Sequence, residues 1–264
     1  MISFLFITYN RSDLLIKAFT ALREAVLKTG LSAEFVVSDD ASGPEHQSII
    51  NNLGFETHLM ATVNSGLGAN QNRGLARCKG ELIFQIQDDF IFVGQPSDLT
   101  DAIQILQSDP EIGIVQLTDV RSDIPSERRA TQGGVAYDVF RNDRLPWDRD
   151  CGLRPYSDCP HVKSVHFVEE MGPYREGVAM TLTEHDFKRR VANQGRWRVA
   201  QMCSQKLFIH IGAEHSFNPG GKRNKLVALL HKIPYAGKWI EPALRKAWRK
   251  TEHLAATLAS RLLP

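Results

Sequence analysis

The chain has 264 residues, of which 42% are hydrophobic and 23% are charged, and its formal net charge is +2. This composition is typical of globular proteins and excludes the collagen-like, disordered and coiled-coil classes. The length suffices for one catalytic domain with an appendage and is short for two independent enzyme domains.

The first 90 residues predict a regular alternation of strands and helices. Apolar runs rich in β-formers predict strands at residues 2–8, 34–38, 57–63 and 81–87. Apolar residues at helical spacing predict helices at 12–30, from the turn at 41–44 as far as Ile50, and at 64–78. Ser12 or Asp13 is a candidate cap for the first helix, which we expect to end at Gly30. This order predicts an α/β fold with a parallel sheet that helices cover on both faces.

The rest of the chain has a weaker pattern. It predicts a helix at 99–106, strands at 112–117 and 134–140, a helix at 183–195 and a strand at 206–211. Residues 142–163 have no regular pattern, and a long ordered loop there is a candidate for acceptor recognition. The Asn-Pro-Gly-Gly segment at 218–221 marks a joint, so we expect a domain at 1–221 and a separate tail at 222–264.

The tail differs in charge from the body. Residues 222–264 carry a net +8, and residues 1–221 carry a net −6. Its basic residues alternate with Leu and Trp, a pattern typical of basic amphipathic helices on anionic membrane surfaces. Packing of the tail against the acidic body explains the pattern equally well. The body has no basic patch with interleaved aromatics, so nucleic acid is not an expected partner.

The location of the protein is expected to be cytoplasmic. The apolar run at residues 2–7 is too short to span a membrane, and it is not preceded by the positively charged segment that begins a secretory signal. If the tail binds lipid, the protein is peripheral at the inner face of the plasma membrane. The 4 cysteines have no Cys-x-x-Cys spacing, which predicts reduced thiols rather than a disulfide framework or zinc cluster.

Polar residues follow the predicted strands of the first half. They are Thr8-Tyr9-Asn10, Asp39-Asp40, Asn64 and Asp88-Asp89. The carboxyl ends of parallel strands lie along one edge of a sheet, where α/β proteins bind their ligands. We therefore expect these residues to converge.

Several short motifs occur in a specific order along the chain. They are Ile-Thr-Tyr-Asn-Arg at 7–11, Val-Val-Ser-Asp-Asp-Ala-Ser at 36–42, the Gly-rich segment 64–74, Gln-Asp-Asp at 87–89, Thr-Glu-His-Asp at 183–186 with Arg190 and Gly195 after it, and His210. Over roughly residues 1–216 this set resembles the family 2 glycosyltransferases, which have the GT-A fold. The resemblance implies a Rossmann-like α/β fold with a mixed, mostly parallel sheet flanked by helices. The resemblance implies inverting transfer of a sugar from a nucleotide donor, with UDP favoured, to a saccharide or lipid-linked saccharide acceptor in surface glycan assembly.

The resemblance also implies a nucleotide-binding set. Its members are Thr8, Tyr9, Asn10, Arg11, Asp39, Asn64, Gly66 and Asn72. The loop from Thr8 to Arg11 and the Asp39 carboxylate would surround the base, because a carboxylate can accept a uracil N–H. The alternative for the Asp39-Asp40 pair is to cap the helix that follows.

A metal site for Mg²⁺ or Mn²⁺ is implied at Asp88, Asp89 and His210. The cation would neutralise the charge of the leaving diphosphate. Gln87 stands where the first Asp of the family's Asp-x-Asp motif is expected. Because neighbouring strand residues point to opposite faces, we expect only Asp89 to bind the metal directly. A purely structural role for His210 stays open.

The general base implied by the resemblance is Glu184, with Asp186 as the alternative. Thr183 replaces the Glu that usually precedes this position, which is a second departure from the family pattern. Glu169 and Glu170 are reserve candidates. Alternatively, Glu184 and Asp186 have no catalytic role and only lie in the first turn of a helix, where the dipole favours negative charge.

Two other functions remain open from the sequence. A sugar nucleotidyltransferase would share the α/β core but carry a Gly-rich basic phosphate loop after the first strand, where this chain has Thr8 to Arg11. A non-catalytic nucleotide-sugar or glycan-binding module is compatible with Gln87 and Thr183. Dinucleotide and P-loop enzymes are disfavoured, because Gly66-Leu-Gly68 lacks a third glycine and no Gly-Lys-Ser/Thr motif occurs.

Overall fold

The computed structural model describes residues 1–118, 126–140, 156–203 and 206–212. The strands are β1 (Ile2–Thr8), β2 (Ala33–Asp39), β3 (Thr57–Met60), β4 (Leu82–Gln87), β5 (Phe90–Phe92), β6 (Ile112–Gln116), β7 (Ser126–Ala130), β8 (Ala136–Phe140), β9 (His161–Ser164), β10 (Arg198–Met202) and β11 (Phe208–His210). The helices are α1 (Ser12–Thr29), α2 (Pro44–Asn51), α3 (Leu67–Leu75), α4 (Pro96–Ser108), α5 (Val165–Met171) and α6 (Met180–Asn193).

One large sheet has the strand order β3-β2-β1-β4-β9-β6-β10-β8-β7. The strands β3, β2, β1 and β4 are mutually parallel. β9 runs antiparallel between β4 and β6, β10 is parallel to β6, and β8 and β7 are antiparallel at the far edge. The predicted α/β fold with a mixed, mostly parallel sheet flanked by helices is confirmed.

The first strand, β1, lies at the centre of the parallel half and is buried along its whole length. Phe4 and Phe6 belong to the core cluster that contains the apolar stripe of α1. Leu5 and Ile7 belong to a second cluster, against which Leu67 and Leu75 of α3 pack. Burial on both faces explains why β1 is a continuous apolar run, as expected for parallel sheets covered by helices.

The strand register aligns the carboxyl ends of three strands. Ile7 of β1 pairs with Ser38 of β2 and with Gln87 of β4. The polar residues that follow these positions therefore begin in one row at the same edge of the sheet. This alignment places the candidate site.

The first helix differs from prediction at its start. It ends as predicted at Gly30, which has the left-handed φ of 70° that favours glycine at this position. However, the N-cap residue is Arg11 and no side chain caps the helix, so the prediction of a Ser12 or Asp13 cap is wrong. Ser12 is buried, and its hydroxyl is hydrogen-bonded to Nδ1 of His46 (2.8 Å).

The structure corrects the prediction for the second half of the chain. The segment predicted to be irregular, residues 142–163, ends in β9, a strand in the interior of the sheet. Its polar residues His161 and Lys163 are buried, so no apolar pattern marks the strand. β5, β7, β10 and α5 were not predicted. Residues 141–155, the predicted joint at 218–221 and the predicted tail at 222–264 lie outside the described residues.

Two further predictions concern membrane-spanning segments and the state of the cysteines. Within the described ranges no helix has the length and apolar character needed to cross a bilayer. Cys78, Cys159 and Cys203 are free thiols, and Cys151 lies outside the described residues.

Candidate functional site

The paired carboxylates Asp88 and Asp89 lie in the turn between β4 and β5, and both are buried. Thr8 Oγ1 donates a hydrogen bond to Asp88 Oδ2 (2.8 Å), and the backbone N–H of Tyr9 donates to the same oxygen (3.3 Å). The backbone N–H of Asp88 in turn donates to the carbonyl of Ile7 (3.1 Å). The loop after β1 is thereby fixed against the end of β4.

Arg11 supplies a positive charge to both carboxylates. Its NH1 lies 2.8 Å from Asp89 Oδ2 and 3.3 Å from Asp88 Oδ1, with only 15% of the Arg11 side chain exposed. The two acids therefore face the same cation. The prediction that they point to opposite faces is wrong, because both residues lie in a turn beyond the end of β4.

His210 also contacts Asp89. Its Nε2 lies 3.1 Å from Asp89 Oδ2. β11 pairs with β5 so that His210 is opposite Phe90, and the N–H of Ile211 donates to the carbonyl of Asp89 (2.8 Å). A two-stranded ribbon thus carries His210 to the sheet edge.

The environment gives the two carboxyl groups different proton affinities. Burial raises the pKa of Asp88 to about 7, although Arg11 and the Thr8 hydroxyl act in the opposite direction. Burial also acts to raise the pKa of Asp89, but the hydrogen bond and charge of His210, together with Arg11, outweigh it and the pKa is lowered. Asp89 is therefore the better anionic ligand.

The metal ligands predicted from the sequence meet at this point. Within the described ranges there is no cluster of three or more His, Cys, Asp or Glu side chains arranged to hold a metal ion. However, Asp89 Oδ1 is buried and accepts no hydrogen bond from the described residues. Mg²⁺ is commonly bound by one or two carboxylates together with water and substrate phosphates. Asp89, with Asp88 and His210 beside it, fits a cation of that kind.

Asp39 is fully buried at the end of β2. Its carboxylate accepts hydrogen bonds from the backbone N–H of Ser42 (2.9 Å), from the Ser42 hydroxyl and from Gln47 Nε2 (3.1 Å). The N-cap position of α2 is Gly43, without a side-chain cap. The alternative in which Asp39 and Asp40 cap the following helix is therefore wrong.

Asp40 instead stabilises the entry to α3. Its carboxylate accepts hydrogen bonds from the backbone N–H groups of Gly66 (2.8 Å) and Ser65 (3.1 Å). Gly66 has a φ of 86°, a left-handed conformation that glycine adopts without steric cost. Asn64 is exposed just before this turn.

Asn10 joins two of the loops at the sheet edge. Its backbone N–H donates to Ser42 Oγ (2.7 Å), and its Oδ1 accepts from the N–H of Gly43 (2.8 Å). Asn70, which the sequence analysis missed, donates to the carbonyl of Thr8 (3.1 Å). Both contacts hold the loop after β1 in place.

Asn72 lies farther along α3 and holds a distant segment of the chain. Its Nδ2 donates to the carbonyl of Tyr174 (2.9 Å) and its Oδ1 accepts from the Tyr174 N–H (2.8 Å). Gly68 packs against the same segment, because a Cβ there would lie 2.2 Å from the Arg175 carbonyl oxygen. These contacts position the backbone that precedes α6.

Glu184 lies in the second turn of α6. The alternative in which it lies in the first turn, where the helix dipole favours an acid, is therefore wrong. Its Oε1 accepts from Lys188 Nζ (2.9 Å) and from the backbone N–H of Asp158 (3.3 Å), and 26% of the side chain is exposed. Asp186 is paired with Arg190 (2.9 Å) and Arg189 (3.4 Å) through its two different oxygens. Glu184 is therefore the less constrained of the two acids.

Gln87 connects the end of β4 to this region. Its Nε2 donates to the backbone carbonyl of Asp158 (3.3 Å), whose own N–H contacts Glu184. Asp158 was not predicted, because it lies in the segment without a regular pattern. The acidic pair after β4 and the acid on α6 are thus linked through Gln87 and Asp158.

The reserve acids lie on α5. Glu170 accepts hydrogen bonds from Arg196 (2.8 Å) and from Trp197 Nε1 (2.9 Å). Glu169 is exposed and lies 3.5 Å from His166. These contacts are separate from those of Glu184.

Comparison with protein families gives one match. The family model described as Glycosyl transferase family 2 matches residues 3–157, which is more than half of the chain. No curated protein sequence matches the chain.

Solved structures share the fold at low sequence identity. The mannosyltransferase PcManGT from Pyrobaculum calidifontis, in complex with GDP-Man and Mn²⁺, is 15% identical with a TM-score of 0.57, over 100% of this chain and 75% of its own. Residues 1–349 of S. aureus TarS are 16% identical with a TM-score of 0.55, over 89% of this chain and 66% of that one. The same TarS fragment in complex with UDP-GlcNAc is 15% identical with a TM-score of 0.53, over 86% of this chain and 64% of that one.

We predict that Arg11→Met lowers the free energy of unfolding by about 3–5 kcal/mol, because it leaves two buried carboxylates without their cation. Urea unfolding followed by circular dichroism measures the change. Adding Asp88→Asn should recover part of the loss, since one buried charge is removed.

Arg128→Met is the matched control, because Arg128 pairs with Asp138 at an exposed position. The control should have little effect. Equal losses for Arg11→Met and Arg128→Met would contradict this account of the buried pair.

Proposed function

Because this chain belongs to glycosyl transferase family 2, we propose that it transfers a sugar from a nucleotide-sugar donor to a saccharide or lipid-linked saccharide acceptor in surface glycan assembly. One observation carries the proposal. The loop after β1 and the ribbon of β11 converge on Asp88 and Asp89, so that Arg11 contacts both acids and His210 contacts Asp89. This is the strand-end edge at which α/β proteins bind their ligands.

The donor we propose is a UDP-sugar. The loop from Thr8 to Arg11 and the carboxylate of Asp39 are the groups assigned to the base. Among the similar structures, one TarS structure is in complex with UDP, another is with UDP-GlcNAc, and PcManGT is with GDP-Man. These ligands support a nucleoside diphosphate sugar for this chain as well.

The diphosphate end of the donor is assigned to the acidic pair. A divalent cation bound there through Asp89, beside Asp88 and His210, would neutralise the charge that develops on the leaving diphosphate. Arg11 and His210 orient the Asp89 carboxylate and keep it ionised. Thr8 and Tyr9 fix Asp88, which keeps the edge rigid around the donor.

Glu184 is the proposed general base. It removes the proton from the acceptor hydroxyl while that oxygen forms a bond to the anomeric carbon. The bond between the anomeric carbon and the diphosphate oxygen breaks on the opposite face, so the configuration is inverted. Positioning of the two substrates supplies much of the acceleration. Asp186 is less suited, because arginines pair with both of its oxygens.

The C-terminal segment is assigned to membrane binding. We place the catalytic domain within residues 1–221 and propose that residues 222–264 bind an anionic lipid surface. The net charge of +8 in this segment, interleaved with Leu and Trp, supports the assignment. Such binding would bring the enzyme to a lipid-linked acceptor.

The donor proposal predicts a nucleotide-specific thermal shift. Purified protein is heated with UDP, GDP, CDP or TDP, with and without Mn²⁺. We expect UDP with Mn²⁺ to raise the melting temperature most, because ligand binding to the folded state stabilises it. Asp89→Asn should lose the Mn²⁺-dependent part of the shift.

The matched variant is Glu184→Gln, which should keep the UDP shift and lose sugar transfer to an acceptor. Wild-type binding without transfer to any acceptor would favour the non-catalytic binding module. Production of a nucleotide-sugar from sugar phosphate and nucleoside triphosphate would favour the nucleotidyltransferase. A lack of any nucleotide shift would contradict the donor site itself.

The membrane proposal is tested with the full chain and vesicles. We expect flotation with phosphatidylcholine vesicles that contain phosphatidylglycerol, and not with phosphatidylcholine alone. Replacing Arg245, Lys246, Arg249 and Lys250 by Gln should abolish flotation, because each basic residue contributes about 1 kcal/mol.

The control replaces four exposed basic residues of the body by Gln, namely Lys17, Arg23, Lys28 and Arg77. The control should still float. Failure of the wild-type chain to float would favour packing of the basic segment on the body.

A further inference from the structure

A chain of buried polar side chains lies next to Glu184 and has no part in the mechanism described so far. Its members are Asp158, Tyr156, Tyr174 and Lys163, all less than a tenth exposed. Burying polar groups is costly unless they are hydrogen-bonded to one another. The sheet and α6 therefore enclose a network that must be satisfied internally.

Hydrogen bonds connect Lys163 through the two tyrosines to Asp158. Lys163 Nζ donates to Gln85 Oε1 (2.7 Å) and to the Tyr174 hydroxyl (3.1 Å). The hydroxyls of Tyr174 and Tyr156 are 2.7 Å apart, and the Tyr156 hydroxyl donates to Asp158 Oδ1. The Tyr156 hydroxyl has one proton and donates it to Asp158. Tyr174 is therefore the donor in its hydrogen bond with Tyr156. Apart from the bond from Lys163 to Gln85, the donors of this network lead toward the Asp158 carboxylate.

The network ends at the proposed base. The backbone N–H of Asp158 donates to Glu184 Oε1 (3.3 Å). Asp158 Oδ2 is buried and accepts no hydrogen bond from the residues that the structure describes. Gln87 holds the carbonyl of Asp158 from the other side (3.3 Å). Asp158 is therefore fixed beside Glu184, and one of its buried carboxylate oxygens has no hydrogen-bond donor among the described residues. A buried polar atom of this kind needs a functional explanation.

We propose that Asp158 is a positioning residue for Glu184, holding it through the backbone amide and forming with it a carboxylate pair that sets the acidic limb of activity. This inference rests on the proposed function, in which Glu184 is the base. When Asp158 is ionised, its negative charge stabilises the proton as it moves from the acceptor hydroxyl toward the pair. When Asp158 is protonated, that assistance is lost.

The electrostatics agree with this geometry. Burial and the Glu184 carboxylate raise the pKa of Asp158 to about 6. The Tyr156 hydroxyl, Lys188 on α6 and Lys163 on β9 act in the opposite direction. Burial lowers the pKa of Lys163 to about 7, so the positive charge of this neighbour also varies near neutral pH.

The first test is the pH dependence of sugar transfer in Asp158→Asn. The amide keeps the shape of the side chain and an oxygen that can accept from Tyr156, so we expect the variant to fold. The acidic limb of kcat should move to lower pH by about 1 unit, the size of effect expected from a neighbouring charge. KM for the donor should be unchanged, because Asp158 is not assigned to donor binding.

The second test needs no substrate. Because the pKa of Asp158 is raised in the folded protein from 3.8 to about 6, folded protein binds this proton more tightly than unfolded protein. The wild-type chain therefore loses stability as pH rises through this window. Asp158→Asn lacks that loss, so its melting temperature should rise relative to wild type from pH 4 to pH 7. Asp138→Asn, at an exposed ion pair, should follow wild type.

The outcomes separate the two proposals. If Asp158→Asn leaves both the acidic limb and the pH dependence of melting unchanged, the carboxylate pair is overturned. If Glu184→Gln retains full transfer, the proposed base is wrong, whatever Asp158→Asn does. If the melting curves differ as expected but the acidic limb of kcat does not move, the Asp158 carboxylate has only a structural role and the proposed effect on activity is overturned.

Discussion

The burial of two adjacent carboxylates after β4 is the constraint on which the rest of the site depends. Two carboxylates that are buried side by side lose their hydration, so they need a cation and hydrogen-bond donors nearby. Arg11, Thr8 and His210 supply them, and each belongs to a different loop or strand from β4 itself. The loop after β1 must therefore fold over the sheet edge, and β11 must return to pair with β5. Electrostatics thus determines the path of the chain around the candidate donor site.

Much of the parallel half could be predicted from the sequence, because β1 to β4 are apolar runs bounded by turn residues. The convergence of Thr8 and Asp88 followed from the same reasoning. β9 could not be predicted, since its buried residue Lys163 is stabilised by Tyr174 and by Gln85, which is distant in sequence. Asp158 was missed for the same reason, because its contacts with Gln87 and Glu184 exist only in the folded chain.

Two departures from the family pattern acquire physical reasons in the structure. Gln87 replaces an expected Asp, and its amide holds the carbonyl of Asp158 (3.3 Å). Thr183 replaces an expected Glu, is buried and donates its hydroxyl proton to the carbonyl of Arg175 (3.0 Å). Each of the two residues holds a backbone carbonyl, that of Asp158 or that of Arg175, without adding charge. Asp89 and Glu184 are the acidic groups assigned to the metal and to the acceptor.

The most direct measurement is a crystal structure with UDP and Mn²⁺, with the metal located by its anomalous scattering. The account predicts a manganese peak within bonding distance of Asp89 Oδ1, with the diphosphate on the same ion and the base against the loop from Thr8 to Arg11. A nucleotide bound elsewhere, or a manganese ion away from Asp89, would contradict the assignment of this sheet edge as the donor site.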